Sequence, residues 1–186
     1  MPGVDSRGAA VSMRRIAVVG CSGAGKTRLA KELGRRLSLP VIHLDARYWR
    51  PGWVETPDDE WDALQPRLFA GDAWVADGNF HRFLHHRAAR ADTIVFLDFA
   101  RRTCLRGVLG RLVRQWGQVR GDMAPGCPER LDLAFLRWVW SFRRRVRPRL
   151  LEMLAAFEAR GGRLVTLRSR REVDAWLRRT PSAAST

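Results

Sequence analysis

The sequence predicts an α/β fold: a parallel β-sheet with helices on both faces. Three observations carry this. Five short apolar runs of strand character alternate with helical stretches, a glycine-rich segment joins the first run to the first helix, and 186 residues suffice for one full domain but not for two large ones.

The elements follow in order. Residues 16–19 form the first strand, and the chain turns through glycines into a helix over about 26–37. Residues 41–44 are the second apolar run, closed by Asp45 and followed by an aromatic loop with Tyr48, Trp49 and Trp53. Thr56 then has the position of a helix N-cap, with Pro57 first in the helix and Asp59 three residues after the cap, and this helix runs to about Phe69. The third strand, 74–76, ends on Asp77; the fourth, 93–97, ends on Asp98; a helix over 81–89 joins them. A fourth helix, 101–116, leads into a Gly/Pro-containing loop, 117–128, read as a mobile flap. Two helical segments divided at Pro148, a last strand at 163–167 and a helix over about 171–178 complete a single domain spanning 13–179, with its lid at about 117–130. Residues 1–12 and 180–186 read as a disordered leader and tail.

Charge is the outstanding feature of the composition. The formal net charge is +15, from 34 Lys and Arg against 19 Asp and Glu. It is uneven: residues 1–100 carry net +2 and residues 101–186 net +13, so an anion should be gripped largely from the second half. Cys21, Cys104 and Cys127 are an odd, widely spaced set, which predicts reduced thiols and a cytoplasmic protein. No run of about 20 apolar residues is present, and no membrane partner is expected.

Gly20-Cys21-Ser22-Gly23-Ala24-Gly25-Lys26-Thr27 has the Walker A spacing and lies between a predicted strand and a predicted helix, as that motif requires. A phosphate needs several N–H donors at once, which a loop of small residues can present, and the helix that follows adds its positive end. Lys26 would reach the β- and γ-phosphates, and the Thr27 hydroxyl would hold Mg²⁺. Only Lys26 and Lys31 are lysines, beside 32 arginines, so the preference for Arg yields where a compact ammonium suits the phosphates. Asn79 is the one asparagine, which removes the Asn-Lys-x-Asp guanine reader and leaves ATP as the default donor.

The chain resembles the adenylate-kinase-related P-loop kinases, and more closely the bacterial family of DNA topology modulation proteins. Beyond the phosphate loop, the resemblance rests on Pro40-Val41-Ile42-His43-Leu44-Asp45, Pro51-Gly52-Trp53, Asp77-Gly78-Asn79, Phe96-Leu97-Asp98-Phe99, Gly126-Cys127-Pro128-Glu129 and Trp138-Val139-Trp140. It covers residues 14–177 and implies a P-loop NTPase fold with a five-stranded parallel sheet, an acceptor side and a closing helical lid. The chain departs from the family where Ala100 and Gly121 replace common prolines. A single flap cysteine, Cys127, argues against a lid zinc, and His81, His85 and His86 read as a solvated helix face.

Phosphoryl transfer asks a protein to position two substrates and neutralise charge. Asp45, Asp77 and Asp98 all close strands, and ligands sit at that edge of an open parallel sheet. Asp77 is the candidate on the metal side, through water; the alternative is an Asp-Gly turn. Asp98 starts the turn into the fourth helix, or lines the site. Asp45 could take the proton of a hydroxyl acceptor, whereas a nucleoside monophosphate needs no base. Arg47 and Arg50 either clamp an anionic acceptor or flank a packed aromatic loop; Asn79 and Arg87 are further acceptor-side candidates. Of the lid arginines Arg106, Arg111, Arg114 and Arg120, the choices are Arg111 and Arg120. Ser169 and Arg170 follow the last strand where related kinases bind adenine, Arg143 to Arg145 and Arg147 are surface charge or a nucleic-acid patch, and Trp138, Trp140 and Trp176 are expected in the core. The leading reading is a monomeric ATP- and Mg²⁺-dependent kinase of a nucleotide or small anionic acceptor. Its rivals are an ATP-switched regulator that binds nucleic acid through the basic half, and a plain ATPase.

Overall fold

The computed structural model describes residues 13–181; the expected leader 1–12, and the expected tail beyond Pro181, lie outside the described residues. Strand β1 (Arg15–Gly20) is the centre of a five-stranded parallel sheet. On one side of it lie β5 (Trp74–Asp77) and then β2 (Val41–His43), and on the other β6 (Thr93–Leu97) and then β7 (Arg163–Leu167). A strand flanked on both sides and both faces must be continuously apolar, and Ile16, Ala17, Val18 and Val19 are each fully buried. Register places Val18 opposite Asp77 and His43 opposite Asp77, so the carboxyl ends of β1, β5 and β2 are level.

Helix α1 (Lys26–Leu37) packs on β1, β5 and β2 and touches α8 (Arg170–Arg179), where Arg36 Nη1 donates to the Leu177 carbonyl at 2.6 Å. Helix α4 (Leu84–Arg90), entered by a 3₁₀ turn at His81–Phe83, packs on β1, on α3 (Asp58–Leu68) and on α7 (Arg147–Ala159). Trp61 of α3 is fully buried and meets the rings of Tyr48 and Phe80. Between β2 and α3 the chain makes a one-turn helix α2 (Asp45–Tyr48) and a small antiparallel hairpin of β3 (Trp49–Arg50) and β4 (Val54–Glu55). Helix α5 (Arg101–Gln115) leaves β6, and the chain returns through residues 116–132 into α6 (Leu133–Arg145), which packs on α5.

Two expected boundaries move. Thr56 does not cap α3: its hydroxyl turns back to the Tyr48 carbonyl, and Pro57, in extended geometry, holds the cap position instead. The break between the last long helices falls at Val146, with Pro148 inside the first turn of α7, where its missing N–H costs nothing. Trp140 is exposed, with Arg101 over its ring at 4.1 Å, so it is not core; Trp138 and Trp176, both half-buried, pack against the core's edge.

Asp98, at the end of β6, receives two parallel hydrogen bonds from Arg147, at 2.8 and 2.7 Å, and thereby ties the sheet to α7. This bidentate pairing holds its carboxyl below the ordinary aspartate value of 3.8. A lowered folded-state value contributes stability above the unfolded one and loses it as pH falls through the folded one. Asp98→Asn is therefore expected to cost about 2 kcal/mol at neutral pH. The gap from wild type should narrow in acid melts once the pH falls below the unfolded aspartate value and close below the lower folded one, and a gap independent of pH would contradict this role.

Candidate active site at the carboxyl edge of the sheet

The glycine-rich loop leaves β1 at Gly20, whose φ of +142° lets the backbone pass Leu97, and turns at Gly23 with φ +80° and Gly25 with φ +95°. A Cβ on Gly23 would stand 2.0 Å from the Cys104 carbonyl oxygen, and one on Gly107 would stand 2.1 Å from the Gly23 carbonyl oxygen. Loop and α5 therefore touch backbone to backbone, with glycine required on both partners. A Cβ on Gly25 would meet nothing within 4 Å, so the loop is braced behind and open at that point. Lys26 folds back to donate to the Cys21 carbonyl at 3.1 Å.

Asp77, buried at the end of β5, gathers two partners. The Thr27 hydroxyl donates to Oδ2 at 2.6 Å, and Nδ1 of His43 meets Oδ1 at 2.5 Å. The cross-strand register of His43 and Asp77 makes this second contact. A hydroxyl and a carboxylate oxygen this close form a hard-oxygen donor set of the kind Mg²⁺ takes while keeping most of its waters. With the braced amide loop and Lys26, these residues fit a nucleotide triphosphate and its metal.

In front of them opens a cleft of about 600 Å³, a size ordinary for small-molecule sites. Ser22, Lys26 and Asp45 line its phosphate end; Tyr48, Trp49, Trp53, Phe80, Phe135 and Trp138 supply aromatic walls; Arg111, Arg120 and Glu129 close it from the flap side. Burial raises the Asp45 carboxyl above the ordinary aspartate value, opposed by Lys26 and reinforced by the charge of Asp77. Arg111 is held below its usual value by burial and by its neighbour Arg120. Glu129 compensates both arginines: its Oε1 is 3.0 Å from Arg111 Nε and 2.7 Å from Arg120 Nε. Neither approach is aligned as a hydrogen bond, so the contact is Coulombic. Arg120 also bonds Asp122 at 2.7 Å.

The 117–128 flap packs on the β3–β4 hairpin. Gly52 N donates to the Gly126 carbonyl at 2.9 Å, Trp53 Nε1 to the Pro128 carbonyl at 3.0 Å, and Cys127 Sγ to the Arg50 carbonyl at 3.2 Å. Met123, Ala124 and Cys127 pack on Trp49 and Trp53.

Lys26, Asp45, Arg111, Arg120 and Asn79 thus meet at one cleft, with Ser22 at its edge and Thr27 and Asp77 beneath. Other expected site residues are placed elsewhere. Arg47 is exposed outside the cleft lining, and Arg50 is exposed and pairs with Glu60. Arg87 is fully buried behind the 78–79 turn, where Nη2 donates to the Gly78 and Asn79 carbonyls, and burial pulls its guanidinium down to about 9. It braces the turn that carries Asn79. Ser169 caps α8 by accepting from Glu172 N at 3.2 Å, and exposed Arg170 opens that helix, both outside the cleft lining. Asp62, His85 and His86 gather on the outer α3–α4 surface, away from the cleft. His43, Glu129 and Trp138 belong to the site and were not singled out for it by sequence, although all three stand in the quoted motifs.

No family model matches the chain, and no curated protein does. Solved structures match its fold. A shikimate kinase from Acinetobacter baumannii in complex with shikimate is 18% identical, with 90% of each chain covered and a TM-score of 0.55. A shikimate kinase from Aquifex aeolicus is 13% identical over 89% of this chain and 92% of that one, with a TM-score of 0.52. The chain has the fold of the P-loop kinases.

Gly107→Ala tests the backbone contact. Alanine gains about 1 kcal/mol over glycine inside a helix. Here we expect the opposite sign, a melting temperature lowered by overpacking that costs about 1–3 kcal/mol, together with weaker ATP binding in a titration. A stabilised variant with unchanged ATP binding would mean that loop and helix are not pressed together.

Proposed function

We propose that this protein is an ATP- and Mg²⁺-dependent phosphotransferase that acts on a small acceptor through a hydroxyl group. The observation that carries the reading is Asp45, a carboxylate on the cleft floor among Lys26, Arg111 and Arg120, directly in front of a phosphate loop. A nucleoside monophosphate already presents an ionised oxygen and needs no such base; a hydroxyl does. The aromatic walls would hold the apolar faces of the acceptor, and Asn79 offers an amide for its polar edge.

In this reading the loop amides and Lys26 would hold the β- and γ-phosphates, and Thr27 with Asp77, through water, would hold the metal, which would supply charge neutralisation at the phosphates. His43 keeps the Asp77 carboxylate oriented. Asp45 takes the proton from the acceptor oxygen. Arg111 and Arg120 donate to the transferring group, in a cleft that the flap covers on one side. Both arginines converge on the phosphate end of the cleft rather than on a flat outer stripe, which favours a nucleotide-linked role over nucleic-acid binding for these two side chains.

A screen of hydroxylated metabolites and nucleoside monophosphates with labelled ATP and Mg²⁺ identifies the acceptor. Lys26→Ala is expected to abolish transfer with little change in melting temperature; wild-type transfer in that variant would overturn the reading. Asp45→Asn should lower kcat by about 10²- to 10⁴-fold with hydroxyl acceptors. A base works deprotonated, so wild-type rates should fall as pH drops through its raised value, above the ordinary 3.8, and Asp45→Asn should lack that acid limb. Equal limbs in both proteins would remove Asp45 from the role.

A further inference from the structure

The large apolar side chains that stand in solvent are concentrated in one region. Among the described residues, seven of the nine that are exposed lie between positions 109 and 140: Leu109, Val113, Trp116, Val119, Leu131, Leu133 and Trp140. Val113 is 82% exposed, Leu133 72% and Trp116 62%, values that belong to no packed surface.

Their spacing makes them a face. On α5, Arg102, Arg106, Leu109, Val113 and Trp116 follow one another by four, three, four and three residues, the repeat of a single helix side, and all five are exposed. On α6, Leu133, Arg137, Trp140 and Arg144 do the same. The two helices pack together in antiparallel fashion: Arg101 lies over the Trp140 ring at one end, and Trp116 bridges Glu129 at the other. Neither α5 nor α6 contains a carboxylate, and together they hold nine arginines. Of the nearby acids, Asp122 and Glu129 are buried and committed to Arg120 and Arg111, and Asp132 caps α6 by accepting from Phe135 N at 2.9 Å. What faces outward on each helix is a row that holds both apolar side chains and unopposed guanidinium groups.

We propose that this α5–α6 face is an interfacial docking surface for an anionic lipid bilayer. The charge identifies the partner as negative, and the aliphatic residues identify it as one with an apolar interior. A nucleic acid would satisfy the arginines and could stack on Trp116 and Trp140, but Val113 and Leu133 gain nothing from phosphates. A second copy of this chain would bring two molecules of net charge +15 together, whereas an anionic surface opposes that charge. Headgroups carrying phosphate, with acyl chains a few ångströms below, answer both halves of the surface. No helix among the described residues is long and apolar enough to cross a membrane, so the contact is one of lying on the surface.

The test is co-sedimentation of the full chain with phosphatidylcholine vesicles, with and without phosphatidylglycerol, over a salt series. We expect binding that needs the anionic lipid and weakens as salt rises. The double variant Val113→Glu/Leu133→Glu should reduce it by about tenfold or more per position. Arg102→Glu/Arg106→Glu should reduce it by about fivefold per charge removed. All four side chains are exposed, and unchanged circular-dichroism melts verify folding. Three outcomes would overturn the proposal: no sedimentation with anionic vesicles at low salt; binding to a single-stranded oligonucleotide, insensitive to Val113→Glu/Leu133→Glu, without vesicle binding; or self-association that Val113→Glu/Leu133→Glu abolishes, without vesicle binding.

Discussion

The site depends on one backbone contact, the approach of the phosphate loop to α5 with no side chain between them. A loop that turns its amides toward a ligand must be supported from the other side, or it gives way when charge arrives. Here the support is the α5 backbone at Cys104 and Gly107. The same contact fixes where the helix points. Arg111 stands one turn beyond Gly107, on the side that faces the loop, so the support that braces the phosphate end also delivers a cation to it.

Burying that cation has a cost, and the flap meets it. Arg111 and Arg120 are desolvated in a cleft that already contains Lys26, and like charges so close would oppose flap docking. Glu129 and Asp122 offset them. Glu129 sits near both Nε atoms and so offsets both charges with one carboxylate. The flap therefore carries its own counter-charge, and its sequence is legible as more than a linker once the fold is known.

What sequence reading recovered was local. The phosphate loop is contiguous, and the strands that end on Asp77 and Asp98 are bounded by clear changes of pattern, so both fell in place. Contacts that depend on strand order did not. His43 meets Asp77 because β2 lies beside β5, which no local pattern in either strand states. Glu129 and Trp138 reach the cleft only after the chain has travelled out along α5 and back. Arg87 misled for the opposite reason: an arginine beside an acceptor-side motif reads as a binder, whereas this one is spent on two carbonyls behind the turn. Arg50 misled in the same way, since the turn of α2 and the following hairpin send it outward to Glu60. Arg143 to Arg145 and Arg147 read as one surface patch, while the fold divides them: Arg147 turns inward to Asp98, and Arg143, Arg144 and Arg145 are exposed.

The attachment of the flap to the 49–55 hairpin makes a mechanical unit of the two. Gly126, Cys127 and Pro128 are fastened to Gly52, Arg50 and Trp53, not to the sheet, so roof and side wall form one piece. The foot of that piece is the edge-to-face pair of Tyr48, in the core, and Trp49, beneath the flap. A substitution at this foot therefore bears on the roof as directly as one in the roof itself.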